Sequence, residues 1–319
     1  MITQHVQDQR NKPQVLVENK TSFAGEDAEL SIYDTFESAS NIKLASDQLM
    51  FCGMLSGKKI MHSLHRRFET EFFPHESFIM APNRPIQIDF PDATLASPTS
   101  CIAIEISHNR VKKICDKLNA NAPLSSYQQE WQYDNKLMHT HHNAETQTLL
   151  GRMINIFTEN HPDRNFMVDL AVSELITRLL REQTRDFIIC HSLNDPEHNG
   201  INSVVAYLYK HLAETINIEA LIKISCMSRT KFFSEFKRTI GCTPQDFLFQ
   251  LRLKKAADLL KKNNSVTQVC FATGYLSTSH FSRSFKKFFG INPTQYKLRH
   301  NPNSAIIPHD ELSINNVGI

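Results

Sequence analysis

The sequence predicts an α+β protein of two parts: a strand-rich N-terminal half that ends in helices, and an all-α C-terminal half. Three observations predict it. Short apolar runs broken by Pro, Gly, Asn and Asp fill the stretch from about Leu30 to Ile106, which is strand patterning. A 14-residue pattern beyond residue 200 occurs twice at a fixed offset of 49 positions, the mark of a repeated helical unit. The net charge of +2 also conceals a segregation: residues 201–300 hold 16 Lys and Arg against 5 Asp and Glu, while the rest holds 19 against 28. A basic module beside an acidic one is expected when only the basic one meets phosphate.

Residues 1–25 are polar and weakly patterned and read as an N-terminal arm. The strands follow over Leu49–Leu55, Ile60–Leu64, Ser77–Met80, Ile86–Phe90 and Cys101–Ile106, which suits a small antiparallel barrel or sandwich. Asn109–Leu118 predicts a short helix. Ala144–Thr158 places Leu149, Leu150, Met153, Ile154 and Phe157 on one helical face. Phe166 to about Arg185 does the same with Val168, Val172, Leu175, Ile176, Leu179 and Leu180. These two helices read as an antiparallel pair packed on the strands, within one domain spanning residues 26–187. Residues 188–200 contain the polar, turn-rich stretch Cys190–Gly200 and read as a linker to a module over 201–300. The tail, 301–319, shows no clear element.

In the repeat, Ser228, Phe232, Phe236, Lys237, Gly241, Pro244 and Phe247 match Ser277, Phe281, Phe285, Lys286, Gly290, Pro293 and Tyr296. Each copy is a capping serine, two aromatics one helical turn apart, basic residues, a glycine that ends the helix and a proline that opens the next. A short apolar helix precedes each: Asn217 caps Ile218–Ile224, and the box Ser265-Val-Thr-Gln268 caps the second, with Gly274 in the turn after it. Short helix, turn, longer basic helix is the helix-turn-helix pattern, whose second helix enters the major groove. Between the units, Thr243-Pro244-Gln245-Asp246 opens a helix to about Lys262, roughly 28 Å long at 1.5 Å per residue and so near the ~34 Å turn of duplex DNA.

Seven scattered cysteines include no close pair with metal-ligand spacing, which fits a reducing cytoplasm. The first ten residues are too polar for a signal peptide, and no apolar run approaches ~18 residues. The expectation is a cytoplasmic protein with no membrane partner.

At Gly274-Tyr275, Ser279-His280-Phe281, Arg283, Phe285-Lys286-Lys287, Gly290 and Pro293-Thr-Gln-Tyr296 the chain resembles the AraC family of bacterial transcription regulators, as it does at Arg252-Leu-Lys-Lys-Ala256 and Leu259-Leu260. The resemblance covers about Ile201–Arg299. The first unit departs from it at Ile222, where the family usually has alanine, and at Cys226, where it often has glycine. The resemblance implies a cupin-like β-barrel as the N-terminal sensing domain, a small-molecule effector, RNA polymerase as a partner, activation rather than repression, and a homodimer surface over 144–185. That helix pair equally reads as intramolecular core alone. Carried over by motif, the base-reading residues are Thr230, Phe233 and Ser234 in the first unit and Ser279, Ser282 and Arg283 in the second. Arg283 suits a bidentate contact to guanine, and Phe233 either touches a thymine methyl or joins the core. Arg229, Lys231, Lys237, Arg238, Lys286 and Lys287 are the phosphate contacts. No cofactor and no catalysis are expected.

A competing class is a metal-dependent cupin enzyme or metal sensor using His62, His65 and Glu69, with His75 and Glu76 nearby. Strand alternation puts His62 and His65, three apart, on opposite faces, which disfavours it.

Overall fold

The run Leu49–Ser56 is apolar on both faces, which a strand adopts only between two packed layers. The computed structural model describes residues 13–63, 69–74, 76–124, 130–133, 138–141, 144–195 and 199–301, and it shows such a strand here. One antiparallel sheet contains β1 (Asn19–Gly25), β2 (Ala28–Thr35), β4 (Leu49–Ser56), β7 (Glu76–Met80), β9 (Thr99–Ile106) and β10 (Met138–His141), in the order β1-β2-β9-β4-β7-β10. The other contains β3 (Ala39–Leu44), β5 (Lys59–Ser63), β6 (Glu69–Phe72) and β8 (Ile86–Phe90), in the order β3-β8-β5-β6. Phe51, Ile102 and Ile104 leave one face of the larger sheet toward helices. Met50, Cys52, Met54, Cys101 and Ala103 leave the other face toward Met61, Ile86 and Ile88 of the smaller sheet.

The expected barrel is therefore realised as a sandwich with a helical third layer. The chain changes sheet after β2, β3, β4, β6, β7 and β8, so these turns are corners, and no ladder joins the two sheets among the described residues. Gly57 makes the corner after β4 at φ 78°, where a Cβ would collide with Thr99. Lys59 is a buried cation within the sandwich. Lys59 Nζ donates to Glu18 Oε1 at 3.2 Å and to Cys101 Sγ at 3.0 Å. Burial opposes its charge, but the neighbouring Cys101 and Glu18 outweigh that and hold its pKa above the ordinary lysine value.

Two strands differ from expectation. Residues 19–25 are not arm but edge strand β1, paired with β2 along its length; residues 1–12 lie outside the described residues. β10 adds to β7 at the other edge. The helices are α1 (His108–Asn121), α2 (Ala144–Thr158) and α3 (Arg164–Asn194). Leu149, Met153 and Phe157 of α2 and Val168, Val172, Leu175 and Ile176 of α3 bury against the larger sheet. α3 is 31 residues long, about 46 Å, and runs through most of the expected linker. Its extension is stabilised by Ile188, which is buried in the core of the C-terminal half. Only 195–199 separate it from the next helix, and 196–198 lie outside the described residues, as do 302–319.

The C-terminal half is all helix: α4 (Gly200–Lys210), α5 (Ile218–Ser225), α6 (Arg229–Ile240), α7 (Pro244–Lys261), α8 (Val266–Ala272), α9 (Thr278–Phe289) and α10 (Pro293–His300). It has two cores. Phe232, Phe236, Ile240 and Leu221 gather in one, and Phe281, Phe285, Phe289 and Tyr296 in the other. No helix among the described residues is long and apolar enough to cross a membrane.

Cys226 ends α5 at φ 54°, a conformation that costs a side-chain-bearing residue roughly 1–2 kcal/mol and glycine almost nothing. Cys226→Gly should therefore raise the urea-unfolding stability by about 0.5–1 kcal/mol, after allowing for the freer unfolded chain. A stability equal to or below that of the parent chain would show that the turn is not strained.

Candidate nucleic-acid interface

The second helix-turn-helix unit is α8, its turn and α9. Ser265 Oγ accepts from the Gln268 backbone N–H at 3.2 Å while Gln268 Oε1 accepts from the Ser265 N–H at 3.2 Å, so the expected capping box is present. Gly274 turns the chain at φ 78°, and a Cβ there would lie 2.5 Å from the Ala213 carbonyl oxygen, so the turn packs closely on the loop after α4. Ser277 Oγ caps α9 by accepting from the His280 N–H. The inward face of α9 is a chain of rings: Tyr275, Phe281, Phe285 and Tyr296 follow one another at centroid distances of 5.2, 5.6 and 5.3 Å. The outward face carries exposed Ser279, Arg283, Lys286 and Lys287, with Ser282 half-buried at its edge. Arg283 makes no hydrogen bond or ion pair among the described residues, so its five donors face solvent.

The first unit is α5, its turn at Cys226 and α6. It has the same plan with weaker local chemistry. Ser228 occupies the cap position without a side-chain capping bond. Thr230, Lys231, Ser234 and Lys237 are exposed, but Arg229 is paired with Glu219 and Arg238 with Glu235. Two of the six expected phosphate contacts are thus engaged within the protein. Phe233 is half-buried against the core, its ring 5.3 Å from that of Phe232 and the Arg229 guanidinium 6.0 Å from its centroid. Ile222 also packs against this core.

α7 joins the units, opened by Thr243 Oγ1 accepting from the Asp246 N–H. Sequence reasoning missed what holds the C-terminal end of α6. Arg181 of α3 donates to the Arg238 carbonyl at 3.1 Å; Arg185 donates to the Ile240 carbonyl at 3.3 Å and to Gln250 of α7 at 2.7 Å. Glu182 accepts from Lys254 of α7 at 2.9 Å. Cations at a helix C-terminus satisfy orphan carbonyls and oppose the negative end of the dipole. Burial, and then the like charge of Arg185, lowers the pKa of Arg181. The sequence signal was the i, i+4 arginine pair, but nothing local names its partner. A second junction lies at the end of α10, where the His300 ring sits 4.6 Å from that of Phe73 and 3.9 Å from the carboxylates of Glu71 and Glu76.

Of the metal alternative, His62 and Glu69 fall among the described residues. His62 Nε2 lies 2.8 Å from Asp89 and its Nδ1 3.6 Å from Glu69, its cross-strand partner, so both ring nitrogens face carboxylates. Among the described residues no three His, Cys, Asp or Glu side chains are grouped to hold a metal ion; His65 and His75 lie outside them.

Residues 28–187 match the family described as "AraC-type transcriptional regulator N-terminus", and residues 221–299 match one described as "Helix-turn-helix domain". The chain is similar to the transcriptional regulator MtrA of Neisseria gonorrhoeae, 30% identical over 124 residues, covering 39% of this chain and 41% of that one. It is similar to the transcriptional activator RhaS of Escherichia fergusonii, 35% identical over 98 residues, covering 30% and 35%. The chain thus spans about two fifths or less of the length of these curated relatives. Among solved structures it is similar to the DNA-binding domain of AdpA in complex with a target DNA, at 27% identity and a TM-score of 0.32, covering 34% of this chain and 98% of that one.

The half-buried Phe233 supplies core contacts whatever else it touches. Phe233→Ala should lower urea-unfolding stability by about 2 kcal/mol, below the ~3–5 kcal/mol of a fully buried phenylalanine. Unchanged stability would mean that the ring serves only an outside partner.

Proposed function

Because the chain belongs to the AraC family of transcriptional regulators, we propose that it binds duplex DNA with α6 and α9 as recognition helices in successive major grooves. The observation that carries this is the division of α9 into a ring-packed inner face and an outer face of serines and unpaired cations, a plan that α6 shares in part, with Lys231 and Lys237 unpaired among the described residues, and the joining of the two helices by α7. Arg283 reads guanine O6 and N7 with its planar fork; Ser279 and Ser282 beside it, and Thr230 and Ser234 on α6, offer hydroxyls to base edges. Phe233 presents its exposed edge to a thymine methyl while its other side stays in the core. Lys231, Lys237, Lys286 and Lys287 neutralise phosphates; Arg229 and Arg238 join them only by exchanging their glutamate partners for phosphate. The second unit therefore carries more of the sequence reading.

The N-terminal sandwich serves as the sensing domain for a small-molecule effector in the cytoplasm. Activation through contact with RNA polymerase fits the relative named as a transcriptional activator. The exposed Phe166 and Leu170, one turn apart at the start of α3, are the part of 144–185 suited to a homodimer contact.

On a duplex selected by the full chain from a random pool, Arg283→Ala should weaken binding by about 1–3 kcal/mol and relax preference at one base position. Binding of the parent chain should fall steeply as salt rises. Equal weakening by Arg283→Ala on selected and random duplexes would contradict the base-reading role.

A further inference from the structure

The chain has a single tryptophan, and its surroundings connect two otherwise separate features. Trp131 is 2% exposed and tightly held: its indole Nε1–H donates to the Ala122 carbonyl at 2.8 Å, and its backbone exchanges hydrogen bonds with the Asn119 side chain at 2.6 and 3.2 Å. Beside it a cavity of about 540 Å³ lies between α1, the start of β4 and the turn after β7, within the size range of small-ligand sites. His108 and Lys112 line it with positive or donor groups, Asp116 and Glu130 with negative ones, and Asn83 with an amide. This cavity lies outside the interior of the sandwich, which Met50, Met54, Met80 and Phe90 fill.

Trp131 also meets Arg181. The guanidinium lies 4.5 Å from the ring centroid, within cation–π range, and the same guanidinium donates to the Arg238 carbonyl at the end of α6. One side chain therefore rests on the wall of the cavity and holds the end of the first recognition helix.

Building on the DNA-binding reading above, we propose that this cavity binds a small zwitterionic effector of the amino-acid class, and that Arg181 is a positioning residue that transmits its binding to α6. Opposite charges within one cavity complement a molecule that carries an ammonium and a carboxylate together. Asp116 and Glu130 receive the ammonium, and Lys112 with His108 receives the carboxylate. A shift of the Trp131 ring on binding changes the seat of the Arg181 guanidinium. The C-terminal end of α6 is then held less or more firmly, which changes how α6 is presented to its half-site while α7 keeps its spacing to α9.

The test uses the full chain, in which Trp131 fluorescence reports one place. Each of the twenty common L-amino acids is titrated separately, and affinity for the selected duplex is measured with and without it. At least one should give a saturable fluorescence change that Asp116→Asn and Lys112→Gln each weaken at least tenfold, and should shift duplex affinity at least threefold. Arg181→Met, with Arg181→Lys as the milder variant, should keep the fluorescence response and lose the shift in duplex affinity. No saturable response to any of the twenty overturns the ligand class. A response that both cavity variants leave unchanged overturns the site, and a duplex shift that survives loss of the guanidinium overturns the relay. A normal fluorescence response in a chain that binds no duplex supports the cavity and overturns the DNA-binding reading, so the two failures are distinguishable.

Discussion

The arrangement of the C-terminal half depends on one helix being buried in two cores at once. Phe247 and Leu251 of α7 belong to the core of the first unit, and Leu253, Ala256, Ala257 and Leu260 to that of the second. A helix that faces two cores cannot carry one apolar stripe, so its apolar residues are distributed around it and along it. Each core is small and would be marginal without its share of α7. The relative position of α6 and α9 is therefore fixed by the same contacts that stabilise the fold, over a helix about 27 Å long. The small side chains of Ala256 and Ala257 let the helices of the second unit approach closely, and a larger residue at either would force them apart.

The same device recurs at the junction of the two halves. α3 gives Val168, Val172, Leu175, Ile176, Leu179 and Leu180 to the core between the larger sheet and the helices, and Ile188 to the first helix-turn-helix core. Its arginines then take up carbonyls that the end of α6 would otherwise leave to water. The first unit is thus joined to the N-terminal half through a continuous helix. The second meets it through side chains at His300 and Phe73. These are different kinds of attachment to the N-terminal half: releasing the first unit requires bending α3 or breaking its arginine contacts, whereas the contact at His300 is released when two surfaces separate.

The parts that were legible in the sequence are those whose chemistry is local. Gly241 and Gly290 stand where the backbone takes φ 87° and 78°, and Pro244 and Pro293 stand in first turns, so the repeat showed as residue types at fixed spacing. Leu49–Leu55 and Cys101–Ile106 show as strands because burial on both faces demands runs that are almost wholly apolar, Glu105 being the one charged residue among them. β1 has the sequence of an arm because an edge strand is held mainly by its backbone ladder, leaving Phe23 as its main apolar sign. The last turns of α3 have the sequence of a linker because Ile188 gains its burial from residues beyond position 200. Alternation also does not say where a chain changes sheets, so barrel and sandwich were equally open. In the candidate site, the outer faces of α6 and α9 were legible from the repeat. The pairing of Arg229 with Glu219 and the grip of Arg181 and Arg185 were not, since each depends on residues brought together only by the fold.

The central claim is geometric: two recognition helices, held by α7, meet one face of the duplex in successive grooves. Hydroxyl-radical footprinting of the full chain on its selected duplex tests this most directly. The account predicts two protected segments on the same face with centres about 10–10.5 base pairs apart. A single protected segment, or two on opposite faces of the duplex, would contradict it.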